Sequence, residues 1–281
     1  MRYFNTEGSC RPGEHYMVKL DNRLELIKTK LVDRKKYFVI NKGRQYGKTT
    51  TLNALEAYLK EDYIVLAMDF QEIPTQKFAD GTIFSQTFAK KLSRAFRYIE
   101  TPDKERLLQL LADFQTNCSD GGLDELFECL SSMCEISLRP IVLMIDEVDS
   151  ASNNQVFIDF LSQIRSYYLK RDKMPIFHSV ILAGVYNIKN LKLKLRSESE
   201  HQYNSPWNIA ADFDIEMDFS TDQITSMLDE YEADHQTGMD IQTVAEEIYQ
   251  YTSGYPVLVS SICKRIDEKP SFPEIFSSMR L

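Results

Sequence analysis

The chain has 281 residues, 43% of them hydrophobic and 27% charged, the ordinary balance of a soluble globular protein with room for a large core. Its formal net charge of −9 at pH 7 argues against a dedicated nucleic-acid binder, which presents a basic face. Five cysteines, odd in number and without C-x-x-C spacing, imply no disulfide framework and no zinc site, and fit reduced thiols in a cytoplasmic setting.

The N-terminus, "MRYFNTEGSC", lacks the apolar core of a signal peptide, and no apolar run approaches the ~18 residues that span a bilayer. Four short runs then read as buried strands: Tyr37–Ile40, Tyr63–Met68, Ile141–Ile145 and Ser179–Ala183. Each is continuously apolar and rich in β-branched residues, the pattern of parallel strands covered on both faces. Ala211–Phe219, which alternates apolar and acidic residues, is a weaker candidate for a sheet edge. Between the strands, Leu52, Leu55 and Leu59 recur at helical spacing, and Phe84–Ile99, Lys104–Phe114 and Val156–Leu169 are amphipathic. Residues 115–124 read as a loop around Gly121-Gly122. A basic run, Lys189, Lys192, Lys194 and Arg196, reads best as a solvated surface.

From Ser220 onward only helices are expected. Ser220 with Gln223 makes a capping box that opens a helix to about Ala233, a second runs from Ile241 to Tyr251, and Pro256 opens a third, Val257–Ile266. Strand–helix alternation followed by helices predicts an α/β core over 1–219 and a small helical lid over 220–281. The last residues, "SFPEIFSSMRL", read as those of a chain that continues.

The chemistry gathers in two stretches. "YFVINKGRQYGKTTTL" runs from a strand through Gly47-Lys48-Thr49 into a helix, the context of a phosphate-binding loop. Unpaired N–H groups at a helix start bear partial positive charge and hold a phosphate chain, so Gly43, Arg44, Gln45, Tyr46, Gly47, Lys48, Thr49 and Thr50 are candidate nucleotide contacts. Gly47 lets the backbone approach, Lys48 pairs the β- and γ-phosphates, and the Thr49 hydroxyl is a magnesium ligand. The usual pattern wants glycine at position 42, where this chain has lysine; Gly43 supplies a hinge one residue late, and Lys42 and Arg44 add charge that suits an anion.

The second stretch, "PIVLMIDEVD", ends a buried strand in adjacent carboxylates. Asp146 is expected to hold Mg2+ and Glu147 to orient and polarise the attacking water. A solvated acidic turn, with Asp149 contributing, is the simpler alternative.

These residues resemble the bacterial AAA-ATPase-like P-loop proteins, relatives of AAA+ and STAND ATPases. The resemblance rests on "RQYGKTT" and "IDEVD", and on the landmarks His15–Val18, Ser179–Lys192, Ser205–Ala210 and Thr252–Val259. It implies a P-loop NTPase fold with a mainly parallel sheet, and it makes Lys42-Gly43 a family variant of the loop. It further implies that Pro256 of Gly254-Tyr255-Pro256 packs on the nucleotide, with a helix cap followed by a helix start as the alternative. Tyr16 would stack on adenine, with a surface aromatic as the alternative. Two departures from the family stand out. The fourth strand ends in Ala183-Gly184 where relatives carry a polar sensor, leaving Asn187 as a displaced substitute, and the arginine finger is undecided between Arg165 and Arg196.

The expected function is therefore ATP binding with Mg2+ and hydrolysis that drives a conformational switch. A module that binds nucleotide without turnover and, less favoured, a P-loop kinase remain as alternatives. GTP is disfavoured, because the one N-K-x-x lookalike, Asn41 to Arg44, lacks the aspartate. Self-association or a protein partner fits the family, while membrane attachment and direct nucleic-acid contact do not fit the composition.

Overall fold

The computed structural model describes residues 2–117, 122–185 and 207–268. Contacts divide the chain into two compact units. One holds Leu26–Asn41 and Leu55–Asp214; the other holds Met1–Glu25, Lys42–Ala54 and the chain from Ile215 onward.

The larger unit is built on a four-stranded sheet of β1 (Tyr37–Asn41), β2 (Ile64–Asp69), β3 (Ile141–Asp146) and β4 (Ser179–Gly184), in the order β1-β4-β3-β2. Every pairing is parallel, with Val39 opposite Leu182, Leu143 opposite Val180 and Leu66 opposite Leu143. All residues of β3 and β4 are buried, as continuous apolar runs require when helices cover both faces. Around the sheet stand α3 (Gly81–Phe96), α4 (Lys104–Asn117), α5 (Leu123–Ile136) and α6 (Gln155–Leu169). Their buried stripes meet in an aromatic core: Phe84, Phe88, Phe127, Phe157 and Phe160 are fully buried, and Phe88 and Phe160 lie 4.9 Å apart. Each such side chain contributes about 3 kcal/mol of burial, which outweighs the modest helix propensity of phenylalanine.

Two expectations are corrected here. Ala211–Phe219 is not a strand: Ala211 makes a single parallel bridge to Phe38, and Phe213 stacks on the Phe38 ring at 5.9 Å. The alternation reflects one buried face, but its backbone has no ladder beyond Ala211. Residues 115–124 are not a loop throughout, because α4 runs to Asn117 and Gly122 caps α5, its N–H donating to Glu125 Oε2 at 2.8 Å. Cys118, Asn187, Arg196, the basic run 189–196 and the tail 271–281 lie outside the described residues.

The other unit contains α7 (Thr221–His235), α8 (Ile241–Thr252) and α9 (Pro256–Glu268). The capping box at Ser220 forms, with Gln223 N–H donating to Ser220 Oγ at 3.2 Å and Ser220 N–H to Gln223 Oε1 at 3.1 Å. Asp240 caps α8 through Thr243 N–H, and Pro256 sits at the first position of α9, where its missing N–H costs nothing. The N-terminal segment packs on α7 through Phe4 and Tyr16 against Tyr231. Before β1 come α1 (Asp21–Ile27) and a π-helical turn, Lys28–Val32. Among the described residues no helix is long and apolar enough to cross a membrane.

Candidate functional site

The loop Lys42–Gly47 joins β1 to α2 (Lys48–Leu59). Its backbone turns left-handed twice, at Gln45 (φ 60°) and at Gly47 (φ 70°). Glycine takes this conformation freely at 47, whereas at Gln45 it costs about 1 kcal/mol that the surroundings must offset. Lys48 is 7% exposed and donates from Nζ to the carbonyls of Lys42 at 3.0 Å and Gly43 at 2.8 Å, so the loop curls around its own lysine. Thr49, Arg44 and Gln45 are exposed. The Thr50 hydroxyl accepts the Cys10 N–H at 3.0 Å, which ties the N-terminal segment to the start of α2. Gly43 lies under the Tyr46 ring, where a Cβ would stand 3.3 Å from two ring carbons.

The carboxylates close β3. Asp146 is its last residue and is 8% exposed, and its Oδ1 accepts the Glu147 N–H at 2.8 Å. Glu147 is itself left-handed (φ 50°, ψ 40°), and a 3-10 turn, Val148–Ala151, follows. Because β1 and β3 are parallel and flank β4, the origin of the loop at Asn41 and the carboxylate at Asp146 leave the same edge of the sheet. Two strand spacings separate them, about 10 Å.

Two further acids stand at this edge: Asp69, which the sequence reading does not name, and Asp149, which it names only as part of an acidic turn. Asp69 ends β2 directly opposite Asp146, and burial, then the Asp146 charge, raises its carboxyl above the usual range. The signal for it was the same as for β3, an acid closing an apolar run. Asp149 accepts the Val185 N–H just beyond β4, and its carboxylate lies over Gly184. The end of β4 has no polar side chain of its own, and the nearby polar group comes from the turn after β3.

In the helical unit, Gly254-Tyr255-Pro256 is a helix stop followed by a helix start. Ser253 and Gly254 are both left-handed, Gly254 O accepts the Phe219 N–H at 2.8 Å, and Pro256 is buried. Tyr255 is the residue that sequence reasoning passed over. Its hydroxyl donates to Arg44 O of the loop, and its ring lies 4.6 Å from that of Tyr46. The segment before α7 also reaches the loop: Lys42 Nζ lies 3.9 Å from Glu216, and the Tyr46 hydroxyl hydrogen-bonds Asp218. Burial, then its hydrogen bond to Glu216, raises Asp218, while the same bond lowers Glu216. The alternative of Tyr16 as a surface aromatic does not hold: it is 2% exposed, held among Phe4, Tyr231 and Arg2, and donates to Asp234 Oδ2 at 2.8 Å. Of the finger candidates, Arg165 Nε donates to Asn208 Oδ1 at 2.6 Å.

The donor types suit magnesium, which takes one or two carboxylates plus hydroxyl, water and phosphate oxygens rather than an all-protein cage. Among the described residues no group of three or more His, Cys, Asp or Glu is placed to hold a metal ion by itself. A helix start preceded by Gly47 suits a phosphate chain.

A family profile described as "AAA-like domain" matches residues 17–276. No curated protein matches the chain. Among solved structures, the chain is similar to Cdc6p from Pyrobaculum aerophilum, with 15% identity and a TM-score of 0.49 over 92% of this chain and 62% of that one. It is also similar to the Aeropyrum pernix ORC1 protein, solved in complex with DNA, with 13% identity and a TM-score of 0.42 over 79% of this chain and 52% of that one. The chain thus spans less than two thirds of the length of either protein.

Proposed function

The chain belongs to the AAA-like domain family, and on that footing we propose that it binds Mg-ATP and hydrolyses it to drive a conformational switch. The observation that carries this reading is the shared sheet edge, from which the loop and the Asp146-Glu147 pair both emerge with one strand between them. Ligands of open parallel sheets bind outside the carboxyl ends of the strands.

Each residue has a task on this reading. Lys48 exchanges the carbonyls of Lys42 and Gly43 for the β- and γ-phosphates, a partner of higher charge. The N–H groups from Gln45 to Thr50 cradle the phosphate chain, although the Thr50 hydroxyl is already engaged by Cys10. Thr49 and Asp146 would hold magnesium, which when bound neutralises charge on the phosphates. Glu147, whose backbone is left-handed, orients the attacking water and accepts its proton. Residues 220–281 act as a lid on the core of 1–219, and Pro256 meets the nucleotide from the lid side.

A second reading, nucleotide binding without turnover, is favoured by the Ala183-Gly184 end of β4, which lacks a polar sensor. The Glu147→Gln protein separates the two. On the proposed function it retains Mg-ATP affinity within about threefold and loses phosphate release by at least about a hundredfold. Unchanged release, or none from the wild type, favours the passive module.

A further inference from the structure

We infer that Tyr255 is a positioning residue for the phosphate chain, one that replaces the missing first glycine of the loop and couples the loop to the lid helices. The inference rests on the proposed function and adds to it a residue that neither the loop pattern nor the carboxylate pair assigns.

The argument begins at position 42. A loop that starts with glycine can fold its first turn on backbone freedom alone; with Lys42 there, the front half needs another constraint. Tyr255 supplies it from outside the loop, because its hydroxyl donates to Arg44 O. The Arg44–Gln45 peptide is trans, so its C=O and N–H point in opposite directions, and holding the carbonyl toward Tyr255 turns the Gln45 N–H away from it. Gln45 at φ 60° and Gly47 at φ 70° are left-handed and Tyr46 between them is not, and alternation of hand along the backbone is how anion-binding concavities are built. The strain at Gln45 is thus held by a bond made one residue earlier.

The ring does the rest. Tyr255 packs on Tyr46 at 4.6 Å, and Tyr46 covers Gly43, so the loop from 43 to 46 is gripped at two points. Tyr255 is a fixed anchor, since Gly254 before it is left-handed against Phe219, and Pro256 after it opens α9. A change in loop geometry on nucleotide binding is therefore transmitted to the junction of α8 and α9 through one side chain.

The test uses the full chain and two measurements on Tyr255→Phe, which keeps the ring and removes the hydroxyl. In calorimetric titration with Mg-ATP, affinity should fall about three- to tenfold, the effect of one neutral hydrogen bond. In hydrogen exchange without nucleotide, the amides of residues 43–47 should exchange at least threefold faster while those of α7–α9 stay unchanged. Tyr255→Ala should weaken binding further, because the contact with Tyr46 goes too. Wild-type binding with Tyr255→Phe unchanged within twofold overturns the inference, as does faster exchange throughout the lid helices, the mark of a merely structural tyrosine. Absence of wild-type binding overturns the proposed function instead.

Discussion

The Asp149 carboxylate occupies the space that a side chain at Gly184 would need: a Cβ there would stand 2.9 Å from Oδ2 and 3.0 Å from Val148 Cγ2. The last residue of β4 is thus glycine so that the turn after β3 can lie against it, with Asp149 accepting the Val185 N–H. Gly184→Ala should cost about 1–3 kcal/mol, the range for overpacking a buried site, measured by urea unfolding. A change below about 0.5 kcal/mol would mean the turn moves aside without loss.

Gly254 makes a backbone approach of a harsher kind. A Cβ there would be driven into the Phe219 carbonyl oxygen and stand 2.9 Å from Phe219 N, and φ is 77°. Unlike a carboxylate, backbone cannot rotate away. Gly254→Ala should cost about 3 kcal/mol or more, with a matching fall in the melting temperature. A melting curve superimposable on the wild type would show that the α8–α9 junction is not built as described.

Glu147 carries backbone strain at the residue proposed to aim the water. Asparagine tolerates the left-handed region better than glutamate, so Glu147→Asn should raise stability by about 0.5–1 kcal/mol while removing ATP turnover. Such a gain marks stability given up for function. A loss of stability on denaturant unfolding would count against stored strain at this position.

The N-terminal segment is held to α7 partly by charge. Asp234 accepts from the Tyr16 hydroxyl and from Arg2, and these bonds, Tyr16 first, depress its carboxyl below the ordinary value of 3.8. A depressed folded-state pKa contributes stability that is present above the unfolded value and lost as pH falls through the folded one. The melting temperature of Asp234→Asn should therefore lie below the wild type at pH 7, and the gap should close as pH drops below 3.8. A gap that is constant with pH would assign the effect to shape rather than charge.

The strands were legible because burial on both faces leaves no choice of side chain. Ile141–Ile145 and Ser179–Ala183 were read from their apolar runs, and each gains one residue in the structure, Asp146 and Gly184. The C-terminal helices were legible from their ends, since Ser220 with Gln223, and Gly254 before Pro256, are local signals with local causes. Helix α5 went unread, because its start lies beside Gly121-Gly122, which read as loop. Ala211–Phe219 misled because alternation reports which face is buried and says nothing of whether a neighbour supplies hydrogen bonds. The bonds of Tyr255 and Asp149 escaped for a third reason: their partners, Arg44 O and Val185 N–H, are backbone groups distant in sequence, and no residue pattern encodes such a bond.

The measurement closest to the central claim is titration of the purified chain with Mg-ATP in a calorimeter, beside Lys48→Ala. The account predicts saturable heat at one site per chain and at least about a hundredfold weaker binding once the loop's ammonium is gone. No heat from the wild type, or equal affinity in the two proteins, would contradict it.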